Sequence, residues 1–410
     1  MKVLQINTVY GEGSTGKIVR DIHDICVGAG IDCLSAYRCR KKGAAEYADT
    51  VTISSPADSR WHGFLARLTM FKGCFSFFHT LAFLRRVKKY SPDVIHLHNL
   101  HGSYVNLPLL FRYIKRNNIP VVWTLHDCWA FTAICSHFAV SGCGRWQSGC
   151  GSCPVRHELS LSPCDNTRLV WRLKKKWFTG MKNAVVVTPS EWLACLAKQS
   201  FLGEYDVRVI NNGIDTSVFK PTGSDFRKRN GLEDKYIVLG VAFDWDHRKG
   251  LDVVIRLASE LPDDYRIVLV GTNDATDARL PANVLSVHRT SDRRELAAIY
   301  TCADIFINPT REDTFPTVNI EAIACGTPVV TFRTGGSPEM LDGTCGAVVE
   351  KDDTEALKNM IIRVCSEKPF SSADCVKRGE QYEKSRKLGE YPALYRQLAC
   401  PNEASGQCAK

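Results

Sequence analysis

Short runs of continuously apolar residues, separated by segments long enough to form a helix, constrain this chain more than any other feature. KVLQINTV, IDCLSAY, DVIHLH, PVVWTL and NAVVVTP are such runs in the first half. A strand apolar on consecutive positions has both faces covered, which is the mark of a parallel sheet packed between helices. Between the first two runs, Ile18, Ile22 and Ile25 recur at helical spacing. The alternation restarts after a loop-like stretch, VRVINNGIDTSVFKPTGSD, with YIVLGVA, YRIVLVG, NVLSVH, ADIFINP and PVVTF as strands. LDVVIRLASE and TVNIEAIACG are helix-sized segments between them. The pattern predicts an α/β chain of two doubly wound, Rossmann-like domains. The expected divisions are residues 1–202, with a Cys-rich insert at 128–164, and residues 203–381. An amphipathic segment at 382–400 is expected to pack back toward the first domain.

Composition narrows the function classes. A length of 410 residues allows two or three domains. Lys and Arg number 53 against 44 Asp and Glu, a net charge of +9. That excess suits anionic small ligands or an anionic membrane surface, and it is too diffuse for a nucleic-acid partner. The run after Lys2 is broken by Gln5, Asn7 and Thr8, unlike a secretory leader. The longest other apolar stretch, Cys74–Leu84, is broken by Ser76, His79 and Thr80 and is too short to span a bilayer. A cytoplasmic protein is expected, with its 18 Cys held as thiols or metal ligands.

The turn after the first strand, YGEGSTGKIV, places Gly11, Gly13 and Gly16 in the spacing of a phosphate-facing loop at a helix N-terminus. It lacks the hydroxyl of a P-loop, because Ile18 follows Lys17, and no acidic residue ends the second strand. His96, His98 and His101, then His126 and Asp127, lie where strands end, the ligand-binding edge of an open α/β sheet. The bland alternative is a histidine bonded to neighbours in the core. Of these, His126 is the stronger candidate, since Asp127 and Trp129 share its loop. Farther on, Cys135, Cys143, Cys150 and Cys153 suit a closed structural zinc site, with free thiols as the alternative.

In the second half, Arg248 and Lys249 precede Gly250 where a helix should begin, placed to neutralise a diphosphate. Asp313 and Glu321 have seven residues between them, with Thr314, Phe315, Pro316 and Thr317 turning from strand to helix. A carboxylate just beyond a strand end suits ribose hydroxyls. Gly335 and Gly336 supply another close-approach turn.

In this order, these residues resemble retaining glycosyltransferase family 4, which has the two-domain glycosyltransferase B fold. The most specific part is Asn308–Val330, with its two spaced acidic residues and Cys-Gly-Thr-Pro-Val turn. NNGID at Asn211–Asp215 and Phe219 are similar to the family's entry into the donor domain. HLHNLHG and HDCWAFT, with the Cys-rich insert, resemble bacterial colanic-acid and exopolysaccharide enzymes.

The resemblance implies two domains facing across a cleft, and transfer from a nucleoside-diphosphate sugar with retention of configuration. It implies Glu321 at the donor ribose, Asp313 at the transferred sugar, Lys249 at the diphosphate, and His126 near the reacting sugar. Gly13 and Gly16 would face the diphosphate. The family's partner arginine falls where this chain has Phe243, leaving Arg248 as the substitute. No cofactor or catalytic divalent metal is implied, and a zinc ion would be structural. The expected acceptor is a glycan or lipid-linked oligosaccharide. Peripheral membrane contact would run through the aromatic segment that ends at Arg85, Arg86, Lys88 and Lys89, the alternative being an ordinary core helix with a solvated basic end. Rival readings are an epimerase or phosphorylase of the same fold, or a non-catalytic nucleotide-sugar binder.

Overall fold

The computed structural model describes residues 1–40 and 47–400. Its described residues divide into two compact units, one within Met1–Asn211 together with residues 388–400, and one of Asn212–Lys387.

The first unit holds strands β1 (Lys2–Asn7), β2 (Asp32–Tyr37), β3 (Thr50–Thr52), β4 (Val94–Leu97), β5 (Val121–Thr124), β6 (Ala184–Thr188) and β7 (Asp206–Val209). They form one seven-stranded sheet in the order β3-β2-β1-β4-β5-β6-β7, parallel throughout. The second unit holds β8 (Tyr236–Val241), β9 (Tyr265–Val270), β10 (Val284–Val287), β11 (Ile305–Asn308), β12 (Val329–Phe332) and β13 (Gly346–Val349). These make a six-stranded parallel sheet in the order β10-β9-β8-β11-β12-β13. Two Rossmann-like α/β units are therefore observed.

The expected division near Gly203 moves to Asn211, because β7 still pairs with β6 and belongs to the first sheet. β3, β7 and β13 lie inside no expected run. Each is an edge strand, paired on one side only, so its residues are mostly half-buried. A continuous apolar run is the signature of strands buried on both faces, and β3 (TVT) and β7 (DVRV) lack it, although the edge strand β10 lies in the run NVLSVH.

The amphipathic segment near the end forms helices Lys384–Leu388 and Glu390–Ala399. Leu388, Tyr391, Leu394, Tyr395 and Leu398 join Val3, Ile22, Val94 and Val122 in one buried cluster of the first unit. No helix among the described residues is long and apolar enough to cross a membrane.

Candidate functional site

The order of the second sheet explains how motifs far apart in sequence meet. β8 and β11 are neighbours, and the chain direction reverses its build-out there, the place where α/β sheets bind ligands. The loop after β8 carries Arg248 and Lys249, and the loop after β11 carries Asp313. Lys249 Nζ lies 2.5 Å from Asp313 Oδ2, with both side chains less than a fifth exposed. Burial alone would raise the Asp313 pKa, but the Lys249 charge and its hydrogen bond outweigh that and hold it below the usual value. Arg248 donates from its guanidinium to the Glu312 carbonyl at 3.2 Å.

The two loops are tied by further bonds. The Arg311 amide donates to the Arg248 carbonyl at 2.8 Å. The Arg311 guanidinium forks onto both oxygens of Asp252 at 2.7 Å and reaches Asp352 at 2.6 Å. Gly335 closes the other side: its φ is +53°, and a Cβ there would lie 1.8 Å from the Asp313 carbonyl oxygen. The Gly336 amide donates to that same oxygen at 3.1 Å. Any side chain at 335 would thus push the Asp313 loop away.

Glu321 sits on the helix Thr317–Ala324 and accepts a hydrogen bond from the Tyr300 hydroxyl at 3.2 Å. Thr314, Phe315 and Pro316 are buried in the turn that leads into this helix. The Phe315 amide donates to Asp313 Oδ1 at 3.2 Å. Phe243, where the family's arginine would fall, is 84% exposed and lies under the Arg289 guanidinium, 5.4 Å from its ring centre.

In the first unit, the pairing of β4 with β5 brings the histidines together. His96 is fully buried, with Nδ1 at 2.6 Å from the Tyr395 hydroxyl and Nε2 at 2.8 Å from Thr124 Oγ1. His98 bonds His126 Nε2 at 3.1 Å and Gln5 Oε1 at 3.3 Å. His96 and His98 are thus the satisfied core histidines of the bland alternative. Burial lowers the His126 pKa to about 4, leaving a neutral imidazole at neutral pH. His101 pairs with Asp127 at 2.8 Å, and the other Asp127 oxygen accepts from the Trp129 amide. Buried Lys174 donates to the Trp129 and Thr132 carbonyls and lies 3.4 Å from the centre of the Trp129 ring, fixing this loop from beneath. Gly13 opens the helix Gly13–Gly28, and the Gly11 amide closes its turn onto the Gly16 carbonyl at 2.8 Å.

Cys135, Cys143, Cys150 and Cys153 line one small cavity of about 20 Å³. Among the described residues, however, no group of three or more His, Cys, Asp or Glu is placed to hold a metal ion. Cys135 instead bonds Cys153, and that contact lowers the Cys153 pKa.

Sequence reasoning passed over Arg311, Tyr300, Tyr391 and Tyr395. Arg311 had a signal in its position between β11 and Asp313. The tyrosines had none, because their partners lie far away in sequence.

Comparison with known proteins adds to this geometry. Residues 55–218 match the family model described as Glycosyltransferase Family 4, and residues 234–367 match Glycosyl transferases group 1. A protein of Escherichia coli (strain K12) named as a colanic acid biosynthesis glycosyl transferase, WcaC, is 24% identical over 97% of this chain and 100% of its own length. A sucrose-phosphate synthase from Thermosynechococcus elongatus has the same fold, with a TM-score of 0.74 at 20% identity over 98% of this chain and all of that one. The Anabaena protein HepE, solved in complex with UDP, has a TM-score of 0.67 at 16% identity, covering 97% of this chain and 100% of that one. The two family matches together take in well over half of the residues, and the chain belongs to the glycosyltransferases of B fold, with a family 4 region followed by a group 1 region.

Proposed function

We propose that this glycosyltransferase moves a sugar from a nucleoside-diphosphate sugar, with retention of anomeric configuration, to a glycan or lipid-linked oligosaccharide during bacterial surface polysaccharide synthesis. The observation that carries the reading is the Lys249–Asp313 pair at the β8–β11 edge, with Glu321 on the helix that follows. Glu321 accepts from the donor ribose hydroxyls, Lys249 and Arg248 neutralise the diphosphate, and Asp313 accepts from a hydroxyl of the transferred sugar. The Thr314–Thr317 turn shapes that pocket. Gly13 and Gly16 approach the diphosphate, and neutral His126 bonds the sugar near its reacting carbon.

Because retention by same-face displacement needs no enzyme nucleophile, the work left to the protein is positioning and charge stabilisation. The bond from the sugar to the diphosphate breaks as the acceptor oxygen bonds that carbon on the same face. The acceptor proton passes to a diphosphate oxygen. The colanic acid relative supports the polysaccharide context, and the UDP-bound neighbour supports a nucleotide-sugar donor.

Membrane association is part of the same reading, in altered form. The helix Phe77–Tyr90 turns Phe83, Leu84 and Val87 into the core, so those residues are unavailable to lipid. Exposed apolar side chains sit instead at Trp61 and Phe64 of the helix Pro56–Thr69, and at Phe77 and Phe78. Arg60, Arg85, Arg86, Lys88 and Lys89 are exposed on the same helices, the complement of an anionic bilayer.

The test is a thermal-shift panel with UDP, GDP, ADP and their sugar conjugates on wild type and Glu321→Ala. Stabilisation by one base, lost in the variant, is expected, because a ligand stabilises the state it binds. No shift with any nucleotide would overturn the donor assignment. Turnover that yields the inverted anomer, read by NMR coupling, would overturn retention.

A further inference from the structure

A second cavity, of about 530 Å³, opens within the first unit, and no residue used in the donor reading lines it. Its walls come from three elements: Arg38 after β2, Arg67 and Lys72 in and after the helix Pro56–Thr69, and His101 after β4. The Cys-rich insert adds Ser136 and His137. Among the described residues no Asp or Glu lines the cavity. The Asp127 carboxylate bonded to the wall residue His101 is already occupied, one oxygen by His101 at 2.8 Å and the other by the Trp129 amide.

Two of these cations are not idle surface charge. Arg38 Nε is buried and finds no hydrogen-bond partner, a state that costs free energy unless something fills it. Burial lowers the Lys72 pKa, partly countered by the Asp127 charge. An ammonium kept in a poorly hydrated cavity gains from an anion placed beside it. Gly63, Gly102, Ser103 and Ser160 leave room for a sugar-sized group, beside an apolar side formed by Met70, Ile134 and Leu159.

We infer that this cavity holds a phosphate or diphosphate on the acceptor, gripped by Arg38, Arg67 and Lys72, beside the His101–Asp127 pair. The inference rests on the transferase reading and names its acceptor class. A single carboxylate would answer one of these cations. A phosphate or diphosphate carries more charge and more acceptor oxygens, and so answers cations arriving from several sides. The source is either a lipid diphosphate or a soluble sugar phosphate.

The experiment is calorimetric titration of the full chain with farnesyl diphosphate, glucose 6-phosphate and glucuronate. A saturating amount of whichever nucleoside diphosphate binds is present, so that the donor site is filled. One of the two phosphorylated probes is expected to bind, with farnesyl diphosphate tighter if the source is lipid and glucose 6-phosphate tighter if it is soluble. Arg67→Gln and Lys72→Met are each expected to weaken that binding about tenfold, the worth of one charge-assisted hydrogen bond. Arg67 is exposed, so its variant tests the site without straining the fold. Nucleoside diphosphate affinity stays unchanged in both.

Binding of neither phosphorylated probe, or equal binding by wild type and both variants, overturns the inference while leaving the donor reading intact. Glucuronate binding as tightly as the phosphorylated probes overturns the phosphate assignment. If no nucleoside diphosphate binds at all, the donor reading fails. The cavity is then titrated without nucleotide, and the two variants decide it by the same criteria.

Discussion

At the strand ends of the second unit, Lys249 meets the Asp313 carboxylate at 2.5 Å. At those of the first unit, His96 and His98 are buried against hydroxyls, an amide and another imidazole. One unit buries charge already neutralised, and the other buries bases that stay neutral by giving up their protons. The difference teaches that proximity to a ligand edge does not by itself make a titratable group reactive. The partner decides whether the charged or the neutral form is the stable one.

The largest effect should come from breaking the pair in the second unit. Lys249→Met leaves Asp313 without its counter-charge and is expected to cost about 3 kcal/mol of stability, as for other buried pairs that lose one member. Transfer should fall at least as far. Adding Asp313→Asn should recover most of the melting temperature and none of the turnover. Recovery of both would mean that the pair serves the fold alone.

Acidification should then separate the two units. His126 has its pKa lowered to about 4 by burial, below the unfolded value, so its contribution is fully present above about pH 6.5 and is lost as pH falls toward 4. His96 and His98 shift the same way for the same reason. Asp313 is held below the usual carboxylate value, so its contribution persists to about pH 4 and is lost only below that. Hydrogen exchange, corrected for intrinsic rates, should show β4 and β5 losing protection between pH 7.5 and 5 while β11 and β12 keep theirs. Equal losses in both sheets would erase the contrast.

A smaller change is expected from Arg311→Met, which removes the fork onto Asp252 and the bond to Asp352. The loss should be about 2 kcal/mol by denaturant titration, with donor affinity reduced because the Asp313 loop loosens. Unchanged donor affinity would show that Gly335 and Gly336 hold that loop without Arg311. The smallest effect belongs to Tyr395→Phe, which takes one hydroxyl from His96. About 1 kcal/mol is expected, with donor affinity unchanged. A larger loss would mean that the last helix anchors the first sheet through this bond as well as through its apolar face.

Much of this molecule was legible in the order of its residues. Ten strands announced themselves as apolar runs because a strand covered on both faces must be apolar throughout. The loops bearing Lys249 and Asp313, and the helix bearing Glu321, were marked because glycines, cations and carboxylates stood where strands stopped. What the order of residues could not decide was partnership. Strands β3 and β7 mix polar with apolar residues, as TVT and DVRV, and so carry half a signal. His126 stood out only by its loop neighbours Asp127 and Trp129, and His96 and His98 stayed candidates until residues distant in sequence, Tyr395 and Gln5, filled their hydrogen bonds. Arg38, Arg67 and Lys72 were scattered positives until three separate elements placed them around one cavity. Local patterns settle the backbone, because periodicity and turn chemistry act over a few residues. Charge state and ligand class wait on tertiary structure, because burial and counter-charges come from segments that only folding brings together.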